Sequence, residues 1–189
     1  MALCVDIDEN PVLYNVNFSL KAGQLLHVKG KNGAGKTTLL RSLVGLCPLL
    51  SGSVTFEVSS SDDTMGYLGH KLALEPLLTV EENLKMATLG ETLHTSPNDT
   101  LKSLGLFQHR NRFCDQLSQG QKKRLSLARF ICVEKSLWLL DEPFTALDSQ
   151  HQTYFKVAME SFVKKGGSIL LTSHMDFDFN GIDWRELTL

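Results

Sequence analysis

Apolar and polar positions along the chain fall into short blocks whose period changes repeatedly. Leu25-Leu26-His27-Val28-Lys29 is a mostly apolar run of strand length, which predicts a short buried strand. Lys36 to Leu46 carries leucines at helical spacing and predicts a helix. Ser136-Leu137-Trp138-Leu139-Leu140 is another apolar run, ending in Asp141-Glu142, and Ser168-Ile169-Leu170-Leu171-Thr172-Ser173-His174 ends in a histidine. Both predict buried parallel strands, because such strands are covered on two faces and need not alternate. Residues 73–134 are helix-rich: Val80 to Leu89, Asn98 to Leu106, and Gln119 to Val133, with Thr95-Ser96-Pro97-Asn98 between the first two. Residues 1–29 predict an antiparallel strand layer entering the core, with turns at Glu9-Asn10-Pro11 and Lys21-Ala22-Gly23. Residues 30–72 hold a loop, its helix and two more strands, with Ser59-Ser60-Ser61-Asp62-Asp63 as a polar hairpin tip. Residues 135–189 return to the core and close on a strand from Trp184 to Leu189. The expectation is one α/β domain over 1–189, with a core from 1–72 and 135–189 and an inserted helical subdomain from 73–134.

Composition narrows the classes. A chain of 189 residues suits one domain with a sizeable core. The net charge of −2 gives no broad electrostatic footprint for nucleic acid, so no nucleic-acid partner is expected. Lys122-Lys123-Arg124 reads as the solvated face of a helix. No apolar stretch approaches the length of a membrane span, and no secretory signal peptide is read at the start, so a membrane role is expected to come through a partner. Cys4, Cys47, Cys114 and Cys132 show no paired metal-ligand spacing. Cys47-Pro48 reads as a helix ending before a proline, ahead of a turn at Ser51-Gly52, rather than as a haem ligand.

The chemistry lies between the blocks. Gly30-Lys31-Asn32-Gly33-Ala34-Gly35-Lys36-Thr37-Thr38 fits the phosphate-loop pattern, and it sits between a predicted strand and a predicted helix. Glycines let backbone N–H groups curl around a phosphate, and the helix N-terminus adds partial positive charge. Lys36 is placed for β/γ-phosphate oxygens and Thr37 for the Mg²⁺ of the nucleotide. The chain is therefore expected to bind a nucleoside triphosphate. Leu117-Ser118-Gln119-Gly120-Gln121 opens the third helix of the helical segment with a serine, whose hydroxyl and neighbouring N–H groups suit an anion.

With these motifs the chain resembles the ATP-binding cassette (ABC) ATPases, whose signature is close to Leu-Ser-Gly-Gly-Gln and departs here only at Gln119. The resemblance covers essentially the whole chain, in the family's order. It implies a P-loop NTPase core with an N-terminal antiparallel layer and a helical subdomain. It implies that Ser118, Gly120 and Gln121 cap the γ-phosphate held by the phosphate loop of an opposite subunit, in a head-to-tail homodimer. It implies that Asp141 holds Mg²⁺ through its shell, that Glu142 polarises the attacking water, and that His174 is the switch histidine contacting the γ-phosphate. Thr145-Ala146-Leu147-Asp148 resembles the D-loop that crosses the dimer interface.

Two departures refine the resemblance. The family usually has glutamine where Met65-Gly66-Tyr67-Leu68-Gly69-His70 places His70; an imidazole also accepts a hydrogen bond, but its charge varies near neutral pH. The family often stacks adenine on an aromatic residue expected here around Ile7, where none lies; Tyr14 and Phe18, the aromatics before the phosphate loop, are expected in the core. Tyr67-Leu68-Gly69-His70-Lys71, Leu78-Thr79-Val80-Glu81-Glu82-Asn83-Leu84, Leu137-Trp138-Leu139-Leu140 and Asp141-Glu142-Pro143-Phe144-Thr145-Ala146 resemble the ATPase subunit of the bacterial haem exporter of cytochrome c maturation. That subfamily implies ATP and Mg²⁺ as ligands, integral membrane permease subunits as partners, docking near Lys71 to Leu78, and a peripheral place on the cytoplasmic face of the inner membrane. The alternatives are a soluble ABC ATPase of the iron–sulfur assembly type and the ATPase of another small ABC exporter. A DNA-repair cassette would need a coiled-coil insertion between phosphate loop and signature; only about eighty residues separate them, without sustained heptads.

Overall fold

A computed structural model describes residues 2–9, 12–57 and 65–189, with side chains from Val12 onward outside 57–64. The expected turn at Glu9-Asn10-Pro11 runs into undescribed residues, and the hairpin tip at Ser59–Asp63 and the side chain of Ile7 lie outside the described set. The chain divides into two units, Met1–His70 with Lys135–Pro143 and Met159–Leu189, and Lys71–Glu134 with Phe144–Ala158.

The first unit holds two sheets. Strands β1 (Ala2–Glu9), β2 (Tyr14–Lys21) and β4 (Ser53–Glu57) form an antiparallel sheet in the order β2-β1-β4. Strands β3 (Gln24–Lys29), β5 (Met65–Leu68), β6 (Leu137–Asp141), β7 (Ser168–Thr172) and β8 (Asp183–Thr188) form a parallel sheet ordered β5-β6-β7-β3-β8. Every residue of β6 and β7 is buried, as their apolar runs required, whereas the edge strand β8 has no buried residue. Not all of residues 1–29 belong to the antiparallel layer: β3 pairs in parallel with β7 and β8, and β4 takes a place beside β1 instead. Helix α1 (Lys36–Leu43) packs on β6, and Leu13, Val16, Leu26, Leu39, Leu139 and Leu170 sit in one core cluster. Phe18 packs against that cluster, but Tyr14, expected in the core, is 68% exposed at the start of β2.

The second unit contains α2 (Val80–Ala87), α3 (Pro97–Ser103), α4 (Gln119–Cys132) and the first part of α5 (Ser149–Lys164). Leu84, Leu101, Leu104, Leu117, Leu125 and Ala128 fill its core. Thr79 and Ser118 start α2 and α4 with reciprocal capping boxes to Glu82 and Gln121. The basic run on α4 is not a solvated face. Lys123 is buried, and Arg124 donates to the Leu104 carbonyl. Among the described residues, no helix is long and apolar enough to cross a membrane.

Candidate functional site

Four neighbouring parallel strands, β5, β6, β7 and β3, end on one edge of the sheet. Ligands of open parallel sheets bind beyond that edge. His70 follows β5, Asp141-Glu142 ends β6, His174 follows β7, and the loop Gly30–Thr38 follows β3 into α1. The strand order thus gathers residues that lie far apart in sequence.

Gly35, at φ 98°, caps α1 without any side-chain hydrogen bond, and the first turn carries no acidic residue. The helix N-terminus therefore keeps its affinity for an anion. Lys36 is 7% exposed, and its ammonium donates to the carbonyls of Gly30 at 2.7 Å and Lys31 at 3.1 Å. Thr37 Oγ1 donates to Asp141 Oδ2 at 2.8 Å, and Thr172 Oγ1 donates to Asp141 Oδ1 at 2.7 Å. Both carboxylate oxygens are thereby held, next to a hydroxyl and at the end of a buried strand. This hard-oxygen pair beside an anion-binding loop fits a small divalent cation carried by a polyphosphate.

Glu142 has φ 46°, a left-handed conformation that costs a non-glycine residue about 1 kcal/mol or more. The surrounding strand holds it there: its N–H donates to the Thr172 carbonyl at 3.1 Å. The Glu142 carboxylate lies 3.2 Å from Nδ1 of His174, which is otherwise 61% exposed. A cleft of about 260 Å³ is bounded by Asn32, Gly33, Gly35, Lys36, Thr37, Thr38, Asp141 and Glu142, with Val12 on its wall. Gly30, Lys31 and Ala34 shape the loop without lining that cleft, and His70 is an exposed residue at the end of its unit. Burial pushes the Tyr67 phenol above its usual range, and the Asp141 carboxylate adds to the shift.

Ser118, Gly120, Gln121 and Asp148 belong to the other unit. Ser118 is exposed; its hydroxyl accepts from Gln121 N–H at 3.2 Å, and its own N–H donates to Gln121 Oε1 at 2.9 Å. A Cβ on Gly120 would lie 2.8 Å from the Ala146 carbonyl oxygen, so a side chain there would collide with the loop before Asp148. Val12 on the cleft wall and Thr172 at the Asp141 carboxylate belong to none of the sequence motifs. Thr172 had a signal: it is the polar residue near the end of an apolar run, and it pairs in register with Asp141.

Comparisons with known proteins bear on the family and the fold. The ABC transporter family model matches residues 13–145. A protein of Roseobacter denitrificans called cytochrome c biogenesis ATP-binding export protein CcmA is 39% identical over 176 residues, covering 92% of this chain and 82% of that one. A solved ATP-binding subunit of an ABC transporter is 25% identical with a TM-score of 0.80, covering 93% of this chain and 80% of that one. A dimeric ATP-binding cassette in a post-hydrolysis state, bound to ADP and Pi, is 23% identical with a TM-score of 0.76, covering 93% and 88%, and attests the fold.

Proposed function

The chain belongs to the ABC transporter ATP-binding family, and from that premise we propose that it is the ATP-hydrolysing subunit of a bacterial haem exporter serving c-type cytochrome biogenesis. The observation that carries the reading is the cleft in which Lys36, the Thr37–Asp141 pair and Glu142 converge. The similarity to CcmA over 92% of the chain favours this over a soluble cassette of the iron–sulfur assembly type.

ATP enters with its phosphates against the loop Gly30–Thr38. Lys36 exchanges the Gly30 and Lys31 carbonyls for the terminal phosphates, a swap of neutral acceptors for charged ones. Mg²⁺, when bound, neutralises phosphate charge, and Thr37 and Asp141 would hold it. Thr172 keeps the Asp141 carboxylate oriented. Glu142 orients and polarises the attacking water, and His174 steadies Glu142 while reaching toward the γ-phosphate. His70, in its neutral form, serves as a hydrogen-bond acceptor in place of the family's glutamine.

Ser118, Gly120 and Gln121 of one copy complete the γ-phosphate site of a second copy, and Asp148 lies at that junction. The active form is then a head-to-tail homodimer enclosing two ATP molecules, and hydrolysis releases the clamp. The solved cassette bound to ADP and Pi, which shares this fold, is itself dimeric. The 71–134 segment with 144–158 acts as the signature lobe, and the loop near Lys71 to Leu78 docks permease subunits on the cytoplasmic face of the inner membrane. The test is a Glu142→Gln strain: the tagged chain should bring down integral membrane proteins, and c-type cytochromes should disappear from the haem-stained profile. Normal cytochrome levels would remove the assignment to haem export.

A further inference from the structure

Resting on the reading that Ser118 and Asp148 act at the nucleotide, we propose that His151 is a positioning residue that locks the D-loop to the signature helix. Two independent contacts join these segments. Gly120, in the first turn of α4, approaches the Ala146 carbonyl so closely that no Cβ fits between them. One turn further along the same face, Arg124 reaches His151, which in turn holds Asp148.

The hydrogen-bond chain has one direction. Arg124 has donors only, so its Nη1, 2.9 Å from His151 Nε2, makes that nitrogen the acceptor. Nδ1 then carries the proton and donates to the Asp148 carboxylate, 2.7 Å from Oδ1 and 2.9 Å from Oδ2. Backbone N–H of His151 donates to the same Oδ1 at 2.9 Å. Arg124 is itself fixed by the Leu104 carbonyl at 2.7 Å. The imidazole side chain is 15% exposed and the Asp148 side chain 63% exposed, so the relay has a sheltered middle and an open carboxylate end. A displacement of Asp148 at the partner copy is thereby passed to α4, which begins at Ser118. The competing view is that Asp148 merely caps α5 and the ring contact is incidental.

The experiment uses the full chain with ¹⁵N-labelled histidine. His151 should show the Nδ1–H tautomer, with Nε2 unprotonated; an Nε2–H tautomer would overturn the proposal. In phosphate-release assays, His151→Phe should lower kcat roughly 5–30-fold, the effect of losing net hydrogen-bond energy of one or two bonds, with KM for ATP little changed. His151→Gln should recover most of that turnover, because its amide can donate to Asp148 and accept from Arg124. Equal losses in the Phe and Gln variants would also overturn it. If the unaltered chain releases no phosphate, the ATPase reading fails, and the tautomer alone decides the role of His151.

Discussion

Glu142 and Lys36 separate binding from chemistry at the level of single residues. Lys36→Ala removes the point charge at the loop and should abolish measurable ATP binding, read by fluorescence titration with a nucleotide analogue. Glu142→Gln keeps the shape and loses the base, so binding should persist while turnover falls about 10²–10⁴-fold. A Glu142→Gln protein with unaltered phosphate release would assign the chemistry elsewhere. The loop residues, Asp141 and Glu142 were legible in the sequence because their spacing is local and their flanking runs mark strand and helix. Thr172 and Val12 were not, because what matters about them is the register of β7 against β6 and the line of the cleft wall. Such pairings join distant segments, and no local pattern encodes them.

Among the elements, β3 and α4 each allow a test of packing. His27 on β3 is fully buried, and its Nδ1 lies 3.7 Å from the Glu186 carboxylate. Burial is the largest influence and lowers its pKa from 6.5; Glu186, the Ser173 backbone and Asp176 oppose it, and Lys29 adds to it. The unfolded chain takes up a proton near pH 6.5 that the folded chain refuses, so stability should fall as pH drops below that value. His27→Leu should flatten this acid slope in urea melts between about pH 7 and pH 5; an unchanged slope would place the acid sensitivity in other groups. On α4, Gly120→Ala gains about 1 kcal/mol of helix propensity but incurs an overpacking cost of about 1–3 kcal/mol against the Ala146 carbonyl. The net expectation is a lower urea midpoint and a displaced D-loop; a midpoint at or above that of the parent would contradict the close packing.

The elements themselves were mostly legible, and their ends were not. Helices stop at Leu43, Ala87, Ser103 and Cys132, not at Leu46, Leu89, Leu106 and Val133. For α1 the reason is Gly45, at φ 72°, which turns the chain so that Leu46 N–H reaches back to the Arg41 carbonyl. Helix α5 was not read from the sequence. It begins directly after the D-loop, where Asp148 accepts from His151 N–H.

For the whole molecule, the proposed assembly makes a single chain incomplete: its phosphate loop and its signature serine serve different nucleotides. The sequence announced this only through resemblance, since a partner leaves no periodicity of its own. Loss of Ser118 should then behave differently from loss of Lys36. Ser118→Ala removes an N-cap worth about 0.5–2 kcal/mol to α4, leaves ATP binding by the single chain intact, and blocks pairing of two copies. The most direct measurement is the mass of the Glu142→Gln chain by size exclusion with light scattering, with Mg-ATP and with Mg-ADP. The expected result is a dimer with ATP, a monomer with ADP, and a monomer in both when Ser118→Ala is added. A Glu142→Gln chain that binds ATP yet stays monomeric at high concentration would contradict it.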